Sequence, residues 1–114
     1  MYEYRAEVLR WVDGDTVDLM VDLGFTVLMR TRFRLLGVNT PETNRKASRE
    51  AGKAAQAFAE ELAPQGSVVL VQSHKTGKYG RWLGVVYPMG GEGDALVSVN
   101  DALLQAGHAV PYPG

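Results

Sequence analysis

Two acidic residues stand at positions where a carboxylate could do chemistry. Asp15 begins a run of alternating residues. One face is expected to carry Val17, Leu19, Val21 and Leu23, and the other Asp18, Met20 and Asp22. If the first face lies against a core, Asp15 points partly inward at the end of a strand. A carboxylate there needs a partner, and a hard cation is one candidate. Glu42 lies in a polar loop, where a carboxylate could act as a general base on water.

Each carboxylate also has a purely structural explanation. Asp15 follows Asp13-Gly14, a turn signal, and its side chain could simply accept hydrogen bonds from nearby backbone amides. Glu42 follows Thr40-Pro41, which is typical of a helix start: threonine caps, proline takes the first position, and the acid lies near the positive end of the helix dipole. Taken singly, both residues leave the two explanations open.

Two arginines could bind phosphate, because a guanidinium group forks onto two oxygens. Arg34 shares a strand face with Arg30 and Arg32. Alternation therefore does not single it out, and the row could face solvent. Arg81 follows Lys78-Tyr79-Gly80, where a lysine on the backbone and a tyrosine under a base could hold a single strand. The alternative for this segment is an ordinary hairpin turn.

Basic residues are concentrated in the middle of the chain. The formal net charge of the 114 residues is −1, which by itself argues against a nucleic-acid protein. The first 29 residues contain six acidic residues and two arginines, whereas residues 30–81 contain only four acidic residues. A local basic patch can bind phosphates without a positive net charge, although a mixed solvated surface would give the same counts. The basic residues of the middle segment are Arg30, Arg32, Arg34, Arg45, Lys46, Arg49, Lys53, Lys75, Lys78 and Arg81.

Composition excludes several other classes of protein. The chain has no cysteine, which rules out a disulfide framework and a Cys-based zinc site. His74 and His108 lack the spacing of metal ligands, and neither a P-loop nor a Gly-x-Ser-x-Gly motif is present. The N-terminus mixes charges into its first apolar run, unlike a signal peptide, and no stretch is long enough to cross a membrane. We therefore expect a cytoplasmic protein, or one trimmed of a leader, without membrane contact.

Apolar periodicity predicts the elements that carry these residues. A helix is expected over 48–63, with Ser48 as its N-cap and Pro64 beyond its end. The apolar stripe of this helix comprises Ala51, Ala54, Ala55, Phe58, Ala59 and Leu62. Strands are expected over 2–12, 16–23, 26–36, 67–73 and 82–87, with a shorter helix near 98–106 that Gly107 ends.

The order β-β-β-α-β-β-α is that of an OB-type Greek-key barrel. We expect a mainly β, α+β fold with five barrel strands and two helices, and such barrels commonly bind oligonucleotides on one face. Five strands would also suit an SH3-like barrel, but the helix between the third and fourth strands favours the OB type. The length fits a single domain over residues 1–114.

Three segments resemble the staphylococcal nuclease (thermonuclease) family. They are Val12-Asp13-Gly14-Asp15-Thr16-Val17, Phe33-Arg34-Leu35-Leu36-Gly37-Val38-Asn39-Thr40-Pro41-Glu42 and Lys78-Tyr79-Gly80-Arg81. A fourth, Val99-Asn100-Asp101-Ala102-Leu103-Leu104, resembles the family's second helix. The segments occur in the family's order and near its spacing, from about residue 6 to residue 110. Together they outweigh the structural explanation that each residue has alone.

The resemblance implies a metal-dependent nuclease, an endonuclease that hydrolyses phosphodiester bonds in DNA or RNA and leaves 3′-phosphates. It implies a Ca²⁺ site at Asp15, Asn39 and Thr40, the last through its backbone carbonyl. Glu42 would position or deprotonate the attacking water. Arg34 and Arg81 would clamp the scissile phosphate. We expect a monomer that acts on nucleic acid, preferably single-stranded.

Substrate contacts and departures from the family also follow from the resemblance. Lys78 and Tyr79 would contact a terminal phosphate, and Tyr112 would stand near the nucleotide pocket. Asn39 occupies the position of a second metal-ligating aspartate, which should weaken the metal site because one negative charge is lost. Gly77 replaces an acidic residue, the loop before the first helix is shorter, and the family's third helix is expected to be missing. The alternative is a non-catalytic barrel of the same family that binds nucleic acid or a protein ligand.

Overall fold

The computed structural model describes residues 2–74, 82–89 and 97–112. A 3₁₀ turn at Lys46–Ser48 precedes the first of two helices, α1 (Arg49–Leu62) and α2 (Val99–Gln105). The strands are β1 (Tyr2–Asp13), β2 (Thr16–Asp22), β3 (Leu28–Leu35), β4 (Val38–Asn39), β5 (Val68–His74), β6 (Trp82–Pro88) and β7 (Val110–Pro111).

Five of these strands close into a barrel in the order β1-β2-β3-β6-β5. Neighbouring strands are antiparallel except β3 and β6, which pair in parallel over Phe33–Leu35 and Trp82–Gly84. The predicted α+β fold, an OB-type barrel of five strands with two helices, is confirmed. Strands β4 and β7 form a separate two-stranded sheet that was not predicted, because two residues are too few for alternation to be recognised.

The core fills the barrel with the apolar side of each strand. Val17, Leu19 and Val21 of β2 are buried as expected, and Phe33 and Leu35 of β3 lie among them. The same alternation predicted that Leu23 would join this row, which is wrong. The strand ends at Asp22 and the chain turns away, leaving Leu23 exposed.

Helix α1 crosses the barrel on its smallest side chains. Its buried positions are Gly52, Ala55 and Ala59, so the contact line differs from the predicted stripe, in which Ala51 and Ala54 are exposed. The Nε1 of Trp11 on β1 donates a 2.8 Å hydrogen bond to the carbonyl of Ala63, just beyond the helix. Gln56 returns a second bond to the carbonyl of Trp11, also 2.8 Å. These two bonds fix α1 against β1.

Ser48 takes the N-cap position of α1 as predicted, but its side chain makes no capping bond. Its hydroxyl donates instead to the carbonyl of Glu42 at 2.7 Å. The hydroxyl therefore holds the preceding loop rather than the helix end. In the shorter helix, Ser98 is the N-cap and its hydroxyl accepts from the amide of Asp101. Gly107, with φ of +78°, follows the end of that helix, as the sequence predicted.

Asn100 of α2 connects the helix to the barrel and to the chain before β4. Its side-chain oxygen accepts from the amide of Val86 at 3.1 Å. Its amide group donates to the carbonyls of Leu36 at 2.9 Å and Gly84 at 3.1 Å. This buried side chain thereby positions the turn that leads into β4. Neither helix in the described part of the chain is long and apolar enough to cross a membrane.

Candidate active site

Four separate segments meet at one end of the barrel around a cleft of about 660 Å³. They are the turn between β1 and β2, strand β3, the chain from β4 to the loop before α1, and the start of β6. The cleft brings together five of the predicted site residues. The residues that line it are Val12, Asp13, Asp15, Thr16, Met29, Arg30, Thr31, Arg32, Arg34, Asn39, Thr40, Glu42, Asn44 and Trp82.

Asp15 is buried at the bottom of this cleft, with 8% of its surface exposed. Its Oδ2 accepts a 3.0 Å bond from the amide of Thr40 and lies 3.5 Å from Nη1 of Arg34. Its Oδ1 accepts from the hydroxyl of Thr16 at 3.1 Å. The predicted inward orientation is confirmed. The local-turn explanation is wrong, because the amide it binds lies on a different segment of the chain.

Arg34 differs sharply from the other arginines on its strand. Its side chain is 15% exposed, whereas those of Arg30 and Arg32 are 67% and 57% exposed. Its Nη2 donates to Oδ1 of Asn39 at 3.0 Å, and its guanidinium carbon lies 4.8 Å from the centre of the Tyr112 ring. The alternative of a solvent-facing row is therefore wrong for Arg34. Its orientation comes from β4 and from the chain that follows β7.

The predicted metal ligands at and near Asp15 offer oxygen atoms of the types that a hard cation binds. Asp15 supplies a carboxylate, Asn39 an amide oxygen and Thr40 a backbone carbonyl, all of them donors that Ca²⁺ accepts. The hydroxyl of Thr40 is also buried without a hydrogen-bond partner. Within the described ranges, no three His, Asp or Glu side chains form a metal cluster. Of the three predicted ligands, Asp15, Asn39 and Thr40, the first is the one that carries a negative charge.

Glu42 lies on the rim of the cleft in an irregular segment. Its side chain is 54% exposed, and Oε2 is 2.8 Å from Nε of Arg45. The helix-start explanation for Thr40-Pro41-Glu42 is wrong, because α1 begins only at Arg49. A Cβ on Gly52 would lie 2.8 Å from the carbonyl oxygen of Pro41, so only glycine lets the helix approach the segment this closely.

Asp13 is a site residue that the sequence analysis did not single out. Its Oδ1 accepts a 2.7 Å bond from the hydroxyl of Thr43 and a 3.4 Å bond from the amide of the same residue. Between the two aspartates, a Cβ on Gly14 would lie 2.8 Å from that of Ala55, so the turn packs directly on α1. The first aspartate thus anchors the segment that carries Glu42. The sequence feature that could have identified Asp13 is its place in Asp-Gly-Asp, two residues before Asp15.

Asp18 is a second carboxylate that the sequence analysis missed. Alternation assigned it to the outer face of β2, which is correct, but its side chain is only 4% exposed. Arg32 donates to it through Nε at 2.7 Å and Nη2 at 3.2 Å, while Arg10 and Arg30 approach at 3.4 and 3.8 Å. The hydrogen bond from Arg32 lowers the pKa of Asp18, despite its burial, and the charges of all three arginines add to this.

Three predicted site residues, Lys78, Tyr79 and Arg81, lie outside the described residues. Tyr112, predicted to contact substrate, is described and lies against Arg34. Its amide donates to the carbonyl of Gly37 at 2.9 Å, which ties the segment after β7 to the turn before β4.

The barrel and its cleft define a class: an OB-type fold whose acids and arginines converge at one end of the barrel. Residues 32–113 match the family model described as staphylococcal nuclease homologue. The chain belongs to the staphylococcal nuclease family.

Three relatives align with nearly all of the chain. The chain is 33% identical to a micrococcal nuclease of Shigella flexneri, over 96% of this chain and 59% of that protein. It is 35% identical to Protein ParB of Escherichia coli, over 96% of this chain and 58% of that protein. The chain is 31% identical to an uncharacterized protein of Methanocaldococcus jannaschii, over 96% of this chain and 59% of that protein. The chain therefore spans less than two thirds of the length of each relative.

Proposed function

We propose that this chain is a Ca²⁺-dependent nuclease that hydrolyses phosphodiester bonds in DNA, RNA or both. The observation that carries the proposal is the position of Arg34, which Asp15 and Asn39 orient in the same cleft as Glu42. Membership of the staphylococcal nuclease family supports it, as does the similarity to a protein named micrococcal nuclease.

Arg34 is proposed to hold the scissile phosphate. Its guanidinium is fixed by Asp15, Asn39 and the ring of Tyr112, so binding an anion costs little side-chain entropy. A preorganised cation facing the phosphoryl oxygens stabilises the negative charge that grows on them in the transition state. Arg81 is proposed, from its motif alone, as the second arm of the clamp.

Glu42 is proposed as the general base. Its half-exposed carboxylate on the cleft rim can reach a water molecule, and Arg45 restrains it without burying it. A positioned base contributes a factor of about 10²–10⁴ to the rate. The hydrogen bonds from Ser48 to the Glu42 carbonyl and from Thr43 to Asp13 restrain the loop that carries Glu42, which supports a positioning role for this loop.

Asp15, Asn39 and Thr40 are the residues that would hold the cation. When bound, Ca²⁺ would supply Lewis-acid stabilisation of charge on the phosphoryl oxygens. The amide of Asn39 contributes an oxygen but no charge, so we expect weaker metal binding than a second carboxylate would give. Lys78 and Tyr79 are proposed to contact the terminal phosphate of the substrate, and Tyr112 is proposed to stand near the nucleotide pocket.

Cleavage of a labelled single-stranded oligonucleotide tests the proposal. We expect cleavage with Ca²⁺, none with EDTA, and a loss of about 10²-fold or more in Glu42→Gln. Glu50→Gln is the matched control, because Glu50 is an exposed glutamate on α1 that does not line the cleft. Full activity in EDTA or in Glu42→Gln would contradict the mechanism. Binding without cleavage would favour a non-catalytic barrel.

A further inference from the structure

The arginines around Asp18 form a surface cluster beside Arg34. Arg10 on β1 and Arg32 on β3 are the direct cross-strand partners of Asp18 on β2, so three charged residues lie in a row across the sheet. Arg30 lies two residues before Arg32, on the same face of β3. We call these three arginines and Asp18 the arginine cluster.

Positive charge exceeds negative charge in the arginine cluster. Asp18 carries one negative charge and its contacts with three guanidinium groups leave a net charge of about two positive units. Arg32 donates two hydrogen bonds to the carboxylate, one to each oxygen. Arg10 and Arg30 are more distant from the carboxylate, and their side chains are 60% and 67% exposed. Their donors therefore remain largely available to another anion.

The Arg32–Asp18 pair stabilises the fold, but stability does not account for the two further arginines. Arg10 and Arg30 are exposed and lie farther from the carboxylate, so their ion pairs contribute little to the free energy of folding, and like charges brought together around one carboxylate repel each other. The buried carboxylate of Asp18 instead attracts the three guanidinium groups and restrains their side chains. Restrained guanidinium groups with free donors are well suited to bind phosphate oxygens.

The arginine cluster is continuous with the proposed active site. Arg30 and Arg32 line the same cleft as Arg34 and Glu42. Alternate residues on one strand face lie about 7 Å apart, so Arg30, Arg32 and Arg34 form a ladder along β3. That step is of the order of the distance between successive phosphates of an extended nucleic-acid strand.

We propose that the arginine cluster is a phosphate-binding subsite for a backbone phosphate next to the scissile one. The proposal rests on the proposed nuclease function and extends it: the substrate is a strand of several nucleotides, and its path runs along β3 from Arg34 toward Arg30. Occupancy of the subsite adds affinity for longer substrates and contributes nothing to the smallest ones.

Binding by fluorescence anisotropy in the Glu42→Gln background separates affinity from cleavage. The test variant is Arg10→Gln/Arg30→Gln, which leaves the Arg32–Asp18 pair intact. The control is Arg5→Gln/Arg49→Gln, which removes the same charge from exposed arginines outside the cleft. Thermal melting establishes that both proteins are folded. The probes are a single-stranded 12-nucleotide oligonucleotide and a dinucleotide.

For the 12-nucleotide probe, we expect Kd to rise about fivefold per arginine removed in the test variant. The slope of log Kd against log salt should fall by about 0.7 per arginine. Dinucleotide affinity should be unchanged. Equal changes in test and control, or no change in either, would overturn the subsite.

A second measurement needs no arginine variant. The salt dependence of binding is measured for the Glu42→Gln protein with single-stranded probes of increasing length. The salt slope should increase as the probe grows from two to six nucleotides, and a slope independent of length would overturn the subsite. If this protein binds neither probe and the wild-type chain cleaves no nucleic acid, the proposed function itself fails. Cleavage with a length-independent slope would instead contradict only the subsite.

Discussion

The Nη2 of Arg34 donates a 3.0 Å hydrogen bond to Oδ1 of Asn39. One neutral oxygen thus serves two purposes in the proposed mechanism: it orients the arginine that would hold phosphate, and it is one of the oxygens that would hold Ca²⁺. The two uses compete for the same lone pairs. In the proposed mechanism, residue 39 therefore couples the metal site to the phosphate clamp.

We predict that Asn39→Asp tightens Ca²⁺ binding about tenfold, because it adds a negative charge beside Asp15. Isothermal titration calorimetry measures this Kd directly. Asn44→Asp is the matched control, since Asn44 lines the same cleft but is not one of the proposed ligands. An unchanged Kd in Asn39→Asp, or an equal gain in both variants, would mean that residue 39 does not ligate the metal.

The Asp13–Thr43 contact should matter for rate more than for substrate affinity. Thr43→Val keeps the shape of the side chain but removes the 2.7 Å bond to Asp13, which frees the segment that carries Glu42. We predict that kcat falls about tenfold, equivalent to about 1.4 kcal/mol, while KM changes little. Thr26→Val is the control, because Thr26 is exposed in the turn between β2 and β3 and does not line the cleft. If steady-state kinetics give the same kcat for both variants, Asp13 does not position the base.

Asp18 should make stability depend on pH in the acid range. The bond from Arg32 lowers the pKa of Asp18 in the folded protein, so the carboxylate stabilises the fold above the pKa of the unfolded chain. That stabilisation is lost as pH falls below about 4, toward the lower folded pKa. Asp18→Asn should lower the stability at pH 7 by about 1–2 kcal/mol and flatten the acid limb of a plot of Tm against pH. Identical acid limbs for the two proteins would contradict this role.

The barrel was predictable because its strands obey a local rule. Alternation in β2 identifies Val17, Leu19 and Val21 as core whatever the rest of the chain does. The same rule treats every polar residue opposite them as solvated, and therefore it missed Asp18. The side chain of Asp18 is buried by arginines from two neighbouring strands, and their positions depend on register across the sheet rather than on the local pattern.

The candidate site was predictable only in part, for a related reason. The residue types of Asp15, Arg34 and Glu42 were recognisable, but each had a plausible structural explanation. Arg34 is distinguished from Arg32 by contacts with Asn39 and Tyr112, which lie on other segments. These contacts form only in the folded protein, so periodicity along β3 cannot predict them.

The single-turnover rate of Arg34→Lys tests the central proposal most directly. Lysine keeps the positive charge but loses the planar fork that Asp15 and Asn39 orient. With saturating single-stranded DNA and Ca²⁺, we predict a loss of about 10²–10³-fold relative to the wild-type chain. Arg5→Lys, an exposed arginine on β1, should cleave at the wild-type rate. Equal rates for Arg34→Lys and Arg5→Lys would contradict the assignment of this cleft as the site of phosphodiester hydrolysis.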